Sequence, residues 1–327
     1  MLPSLKKTLL AAIGTAAAWG CLISISRAET HWDFQAIDTN GVSTWAGSYP
    51  VTLTGVILNN PETMLDATWD PNAVANSVMG GQWQIFIQGT NGDHQGTALW
   101  MGQNYNSLGG WIPAGNFYTE SGWSNEMVRL NYDSGHQFRQ GDLVTVTVNK
   151  SSFYGGKLNV SEAHRVTNAN DFSLALVTAN FGLPSAPSLT LSDLYAATNG
   201  AGYDPAYPMF DASRATGAEF YQGTYIRLNG LTLVDTNGWG QSAWGDRLCW
   251  VTDGLGHTNA LRMPLADLGA PPAGVFDVYG IVNQESGSGS NGRMGYELFV
   301  VSVIPEPSVM VLLGVGALVA VGWRRRK

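Results

Sequence analysis

The sequence is poor in cysteine, in charge and in recognisable catalytic signatures, and each shortage narrows what the chain can be. Its two cysteines are Cys21, inside an apolar leader, and Cys249, so a chain that loses the leader keeps a single thiol and no internal disulfide. Stability must then come from packing. Cys249 sits in the apolar run Leu248-Cys249-Trp250-Val251 and reads as a small buried hydrophobe rather than a nucleophile. Charged residues make up only 13% of the chain, and no basic run interrupts its middle. Setting aside Lys6, Lys7, Arg27, Arg324, Arg325, Arg326 and Lys327, which belong to the two ends, ten basic residues stand against 25 acidic ones, a balance of about -15. Such a surface repels phosphate backbones and makes nucleic acid an unfavoured partner. No G-x-S-x-G, H-E-x-x-H, C-x-x-C or Walker sequence occurs. Gly287, Gly289 and Gly292 fit G-x-G-x-x-G, but in a Ser/Gly turn with no helix behind it to receive a phosphate. The chain is therefore expected not to be an enzyme.

What it has in abundance is glycine and aromatics, 40 Gly, 12 Trp, 12 Tyr and 11 Phe in 327 residues, which suits short strands joined by tight turns. The ends are different. Lys6 and Lys7 precede an apolar stretch from Leu9 to Ile25, and Ser26-Arg27-Ala28 offers a small-x-small site for signal peptidase, so residues 1–28 read as a secretory signal peptide. At the other end Ile304-Pro305-Glu306-Pro307 is followed by an apolar run from Val309 to Trp323 and then by Arg324, Arg325, Arg326 and Lys327. The apolar run predicts a short transmembrane helix whose basic tail stays cytoplasmic, leaving everything before it outside. A Pro-Glu-Pro motif, a hydrophobic helix and a terminal basic cluster, in that order, resemble the PEP-CTERM sorting signal. The resemblance implies an exosortase-type membrane transpeptidase as partner, membrane anchoring before processing, and delivery to the outer surface or extracellular matrix.

Between the ends, two stretches overlay as a divergent duplication. One begins Val51-Thr52-Leu53-Thr54-Gly55-Val56-Ile57-Leu58, the other Ile226-Arg227-Leu228-Asn229-Gly230-Leu231-Thr232-Leu233, each alternating with a central Gly that predicts a bulge or bend. Each is followed by a hairpin: Gln84 to Gln88 turning through Gly89–His94 to Thr97–Met101, and Leu248 to Thr252 turning through Asp253–His257 to Asn259–Met263. A last strand-turn-strand unit runs from Asp142 to Val160 in one copy and from Val275 to Val300 in the other. Five strands in this order resemble the OB-fold, a small five-stranded barrel. The expected fold is all-β: two tandem OB-like small β-barrels, with an N-terminal signal peptide and a C-terminal transmembrane helix. The expected domains are 1–28 signal peptide, 29–170 first OB-like module with a long loop, 171–220 linker with a short helix, 221–303 second OB-like module and 304–327 sorting signal. The segment from Asn104 to Gln140 reads as a decorated loop of the first module.

Candidate ligand contacts are aromatic. Trp69, Trp111, Trp123, Trp239 and Trp244 lie in polar, Gly-rich stretches, and an exposed indole offers a flat apolar face with one donor, suited to stacking on sugar rings. Trp69, Trp239 and Trp244 fall between the first two strands of each module, the loop that OB-folds use for ligands, and are the predicted contacts to extracellular polysaccharide. His94 and His257 occupy matching hairpin turns and read as duplicated turn residues. Asp-Thr-Asn-Gly occurs at Asp38–Gly41 and Asp235–Gly238; calcium is the cation such turns could take, but they lack a distal Glu, and no cofactor is expected. The expected function is that of a non-enzymatic, exported surface or matrix protein. Its rivals are an accessory module of a secreted hydrolase or nuclease and a purely structural envelope component.

Overall fold

Period-two alternation of apolar residues builds two sheets, described by a computed structural model over residues 27–73, 78–103, 105–107, 110–111, 118–162, 170–200, 202–286 and 292–305. The signal peptide up to residue 26, Glu306, Pro307, the expected span from Val309 to Trp323 and the basic cluster from Arg324 to Lys327 lie outside these residues. Among the described residues no helix is long and apolar enough to cross a membrane.

The first sheet is formed by β1 (Val51–Ile57), β2 (Gln82–Gln88), β3 (Gly96–Gly102), β4 (Leu143–Val148), β5 (Ser152–Tyr154), β6 (Lys157–Glu162) and β7 (Phe172–Thr178). Their spatial order is β5-β6-β3-β2-β1-β4-β7, with Arg27–Ala28 lying parallel beside β1. The second is formed by β8 (Ser188–Leu189), β9 (Tyr225–Leu233), β10 (Leu248–Thr252), β11 (Thr258–Arg262), β12 (Phe276–Gln284) and β13 (Tyr296–Pro305). Here β9-β10-β11-β13-β12 runs round a complete circuit, because β12 also pairs with β9, and the result is one closed five-stranded barrel. The pairings of β1, β2, β3, β4 and β6 repeat those of β9, β10, β11, β12 and β13, down to a parallel contact of β3 with β6 and of β11 with β13.

The expectation of two barrels is corrected in the first module. Among the described residues β4 and β6 do not pair: β5 turns back on β6 through Gly155-Gly156, and β7 covers the other edge of β4. β7 lies in the stretch expected to be linker: alternation in Phe172–Thr178 puts Phe172 into the core and extends the sheet past residue 170. The short helix expected in the linker is a 3₁₀ turn at Leu191–Leu194, with a capping box between Thr190 and Asp193. The two central glycines differ as well. Gly230 has φ +71 where the β9–β12 register slips, so it is the expected bulge, whereas Gly55 stays in register and admits the Gln88 carbonyl, which would lie 2.7 Å from a Cβ there.

The long "loop" of the first module carries α1 (Glu120–Asn131), capped by Thr119, whose hydroxyl accepts from the Gly122 amide. Trp123 and Leu130 on one face of α1 enter the core, so Trp123, at 2% exposure and with its indole N–H on the Ala67 carbonyl at 2.7 Å, is a core residue and not a ligand contact.

The modules are docked. Leu58, Met64, Leu65, Phe86 and Ala98 of the first form one apolar cluster with Tyr225, Ile281 and Phe299 of the second, the Phe86 and Phe299 rings meeting edge to face at 5.3 Å. Polar ties frame this cluster. Buried Arg247 donates to the Met64 carbonyl at 2.6 Å and to the Met263 carbonyl at 3.0 Å, and the Tyr225 amide donates to Gln88 at 2.9 Å.

Candidate binding groove between the modules

Alternation gives the first sheet an outward face as well as a core face. Trp83, Ile85, Leu99, Met101, Leu158 and Val160 point into the core, which turns Gln82, Gln84, Trp100, Lys157, Asn159 and Ser161 outward. Strand register places Gln84, Trp100 and Ser161 in one row across β2, β3 and β6. The second module covers the part of this face holding Phe86 and Ala98. Beside that contact a cleft of about 430 Å³ remains, floored by the outward polar row and walled on the other side by Trp244 and Glu285.

Burial and hydrogen bonding make this a built surface. Gln84, Ser152, Lys157, Asn159 and Ser161 are all buried although polar. The Ser152 and Ser161 hydroxyls share a bond at 2.9 Å, and the Asn159 amide donates to the Tyr154 carbonyl at 3.0 Å and to the Lys157 carbonyl at 3.2 Å. The Lys157 ammonium donates across the junction to the Gln284 carbonyl at 2.5 Å and lies 3.4 Å from the Glu285 carboxylate. Gln84 differs: at 7% exposure, its Oε1 is a buried acceptor with no partner among the described residues.

The walls are aromatic and fixed. The Arg262 guanidinium covers the Trp244 ring at 4.1 Å and is itself held by Glu297 at 2.8 Å, while the Phe299 and Trp244 rings stand edge to face at 5.7 Å. On the opposite wall the Trp100 indole lies 3.4 Å from Gln82 Oε1. A second depression of about 470 Å³ shares Met79 and Gln82 with the first and carries Trp69, Asp66 and Asp70. The two depressions adjoin at Met79 and Gln82, with Trp69 on one and Trp100 and Trp244 on the other; Trp69 also packs against the first core, its indole N–H 3.4 Å from the Tyr118 carbonyl.

Two of the three predicted tryptophans line these adjoining depressions, one on each. Trp69 and Trp244 both lie between the first two strands of their modules, as expected, and the docking of the modules converges those loops. Trp239 is elsewhere: it packs on the barrel core and donates to the Gly269 carbonyl at 2.7 Å. The side chain of Trp111 lies outside the described residues. Sequence reasoning missed Trp100, Gln82, Gln84, Asn159 and Ser161; the signal was their alternation with core residues, which marks an outward face but not a covered one.

The histidines do not converge. His257 pairs with Asp253 at 2.6 Å inside its own hairpin turn, and the exposed His94 ring lies 5.8 Å from Phe220. In the Asp-Thr-Asn-Gly turns, Asp38 accepts from the Asn40 and Val42 amides at 2.8 and 2.9 Å, and Asp235 accepts from the Asn237 amide at 3.1 Å. No group of three His, Cys, Asp or Glu side chains placed to hold a metal occurs among the described residues.

The family of the PEP-CTERM protein-sorting motif matches residues 303–327. The match opens inside β13, whose last residue, Pro305, is the first residue of the Pro-Glu-Pro motif and sits opposite Phe276 at the rim of the barrel. The chain is accordingly an exported, surface-destined protein processed at the membrane by exosortase. No curated protein matches it.

Proposed function

We propose that this is a non-enzymatic surface or matrix protein whose two OB-like modules dock to form a groove for extracellular polysaccharide. Signal peptidase removes the leader, a C-terminal membrane helix holds the chain until exosortase acts, and the processed protein is left on the outer surface. The repeated pairing order of the strands supports the OB-like reading of both modules. The observation that carries the ligand class is the adjacency of the two depressions: Trp69 lines one and Trp100 and Trp244 the other, the two share Met79 and Gln82, and buried amide and hydroxyl groups lie between the rings of the second. Indole faces take the apolar side of a sugar ring, side-chain amides and hydroxyls take its hydroxyls, and an elongated groove suits a polymer. The acidic balance of the chain favours such a ligand over nucleic acid.

Affinity electrophoresis tests the reading. In gels cast with the extracellular polysaccharide of the producing cell, the full-length chain should be retarded, and Trp69→Ala and Trp100→Ala should each reduce the retardation with unchanged far-ultraviolet circular dichroism. Migration unaffected by the polysaccharide would reject binding and leave the structural envelope role. Shortening of the polymer during the run would favour the hydrolase reading.

A further inference from the structure

We infer that the groove is selective for a neutral amido sugar, a unit that presents an N–H donor beside a small apolar group, as an acetamido substituent does. The inference rests on the polysaccharide reading above and narrows it. Three features of the lining point to this chemistry. First, Gln84 Oε1 is an acceptor buried in the groove floor without a partner among the described residues, and such an atom costs free energy until a donor reaches it. Gln84 stands opposite Trp100 in the strand register, so the donor this oxygen would take is an N–H on a ligand seated against that ring. Second, Leu65, Met79 and the Trp100 ring line the same cleft and give a methyl group an apolar seat. A sugar carrying only hydroxyls supplies the donor but leaves that seat empty.

Third, the charges disfavour an acidic sugar. Lys157 is the cation lining the cleft, and its ammonium is already engaged by the Gln284 carbonyl and the Glu285 carboxylate. Glu285 on this cleft and Asp66 and Asp70 on the adjoining depression are acidic side chains. A uronate entering the groove would meet like charges and no open cation.

Titration calorimetry on the full-length chain in detergent micelles tests this with three tetramers: β-1,4-linked N-acetylglucosamine, β-1,4-linked glucose and α-1,4-linked galacturonate. The first two share a linkage and differ at the carbon carrying the acetamido group. The acetamido tetramer should bind about tenfold more tightly than the glucose tetramer, and the galacturonate tetramer most weakly. Met79→Ser, which removes part of the apolar seat, should bring the first two affinities together, and Gln84→Leu should weaken binding of both neutral tetramers; Leu65→Ser is the second variant if Met79→Ser does not fold. Equal affinities for the two neutral tetramers in the wild type, a preference that survives both seat variants, undiminished binding of both neutral tetramers by Gln84→Leu, or tightest binding of galacturonate would overturn the inference and leave the polysaccharide reading standing. Binding of none of the three, together with unretarded migration in polysaccharide gels, would remove both.

Discussion

Gly96 and Gly223 meet backbone to backbone across the junction of the modules: the Gly96 amide donates to the Gln222 carbonyl at 3.1 Å, and a Cβ on Gly223 would fall 2.5 Å from the backbone of Gly96. The groove exists only while the modules are held this close, so the contact links packing to binding.

Gly223→Ala should therefore separate the modules as well as strain the chain. Gly223 has φ +71, and Gly240, at φ +70 with open space around it, carries the same backbone demand without the contact. Gly240→Ala should cost on the order of 1 kcal/mol from backbone strain alone, and Gly223→Ala roughly 1–3 kcal/mol more from overpacking. Urea denaturation of the two variants measures the difference. Equal losses would mean that the junction gives way freely and contributes little.

How far these relationships could be read in advance depends on their range along the chain. The strands were legible because Val51–Ile57, Leu143–Val148 and Tyr225–Leu233 alternate cleanly, and the bulge at Gly230 was legible because a lone Gly in a long strand has few other uses. Helix α1 was not: Gly122, Ser121 and Asn125 are weak helix formers, and only the seven-residue spacing of Trp123 and Leu130 hints at a buried face. The groove was half legible. Trp69 and Trp244 stood out as indoles among polar residues, whereas Trp100 lay hidden in a strand of the core sheet. Its place on the cleft follows from the parallel pairing of β3 with β6 and from which part of the outward face the second module covers. Pairings between residues so distant in sequence leave no local trace.

Trp123 and Trp100 should separate by experiment as stability and binding residues. Trp123 is enclosed by the first core and bonded through its indole N–H, so Trp123→Ala should destabilise the chain by about 3–5 kcal/mol, read as a lowered denaturation midpoint. Trp100 is half-buried on the groove wall, and Trp100→Ala should cost clearly less stability while weakening polysaccharide retention. If both variants lose stability alike, the Trp100 ring is a packing element.

Glu219 supplies a pH dependence. It is 2% exposed, accepts from the Tyr296 hydroxyl at 2.5 Å, and through its backbone carbonyl accepts from Gln95 of the first module at 2.7 Å. Burial pushes its carboxyl from an ordinary 4.5 up to about 7, against the pull of the Tyr296 hydroxyl and the Arg214 guanidinium and with a small push from Asp211. The folded chain therefore holds a proton between pH 4.5 and about 7 that the unfolded chain has released. The Glu219 contribution is most favourable below pH 4.5, falls as pH rises to about 7 and is constant above that, a change of roughly 3 kcal/mol. Glu219→Gln, neutral at every pH, should melt higher than the wild type at pH 8 and remove the fall between pH 5 and pH 7. A variant whose melting temperature tracks that of the wild type across this range would show that Glu219 is not the group responsible.

The join between barrel and sorting signal can be cut on either side of its last paired residues. β13 keeps register with β12 to its end, Ile304 opposite Asp277 and Pro305 opposite Phe276, and Val303 packs against the barrel core. A stop after Pro305 leaves every one of these pairs and removes Glu306 and all that follows, so the shortened protein should leave the cell for the medium with an unchanged melting temperature. A stop after Ser302 removes Val303, Ile304 and Pro305 as well, opens the end of the β12–β13 pairing and should lower stability by roughly 1–3 kcal/mol through lost burial and unpaired backbone. Comparing the two by fractionation and thermal melting separates sorting from folding. Release of the Pro305-terminated chain fixes Glu306–Lys327 as the retention signal, whereas its persistence on washed cells would place the anchor within the folded modules, with the polysaccharide groove the first surface to mutate.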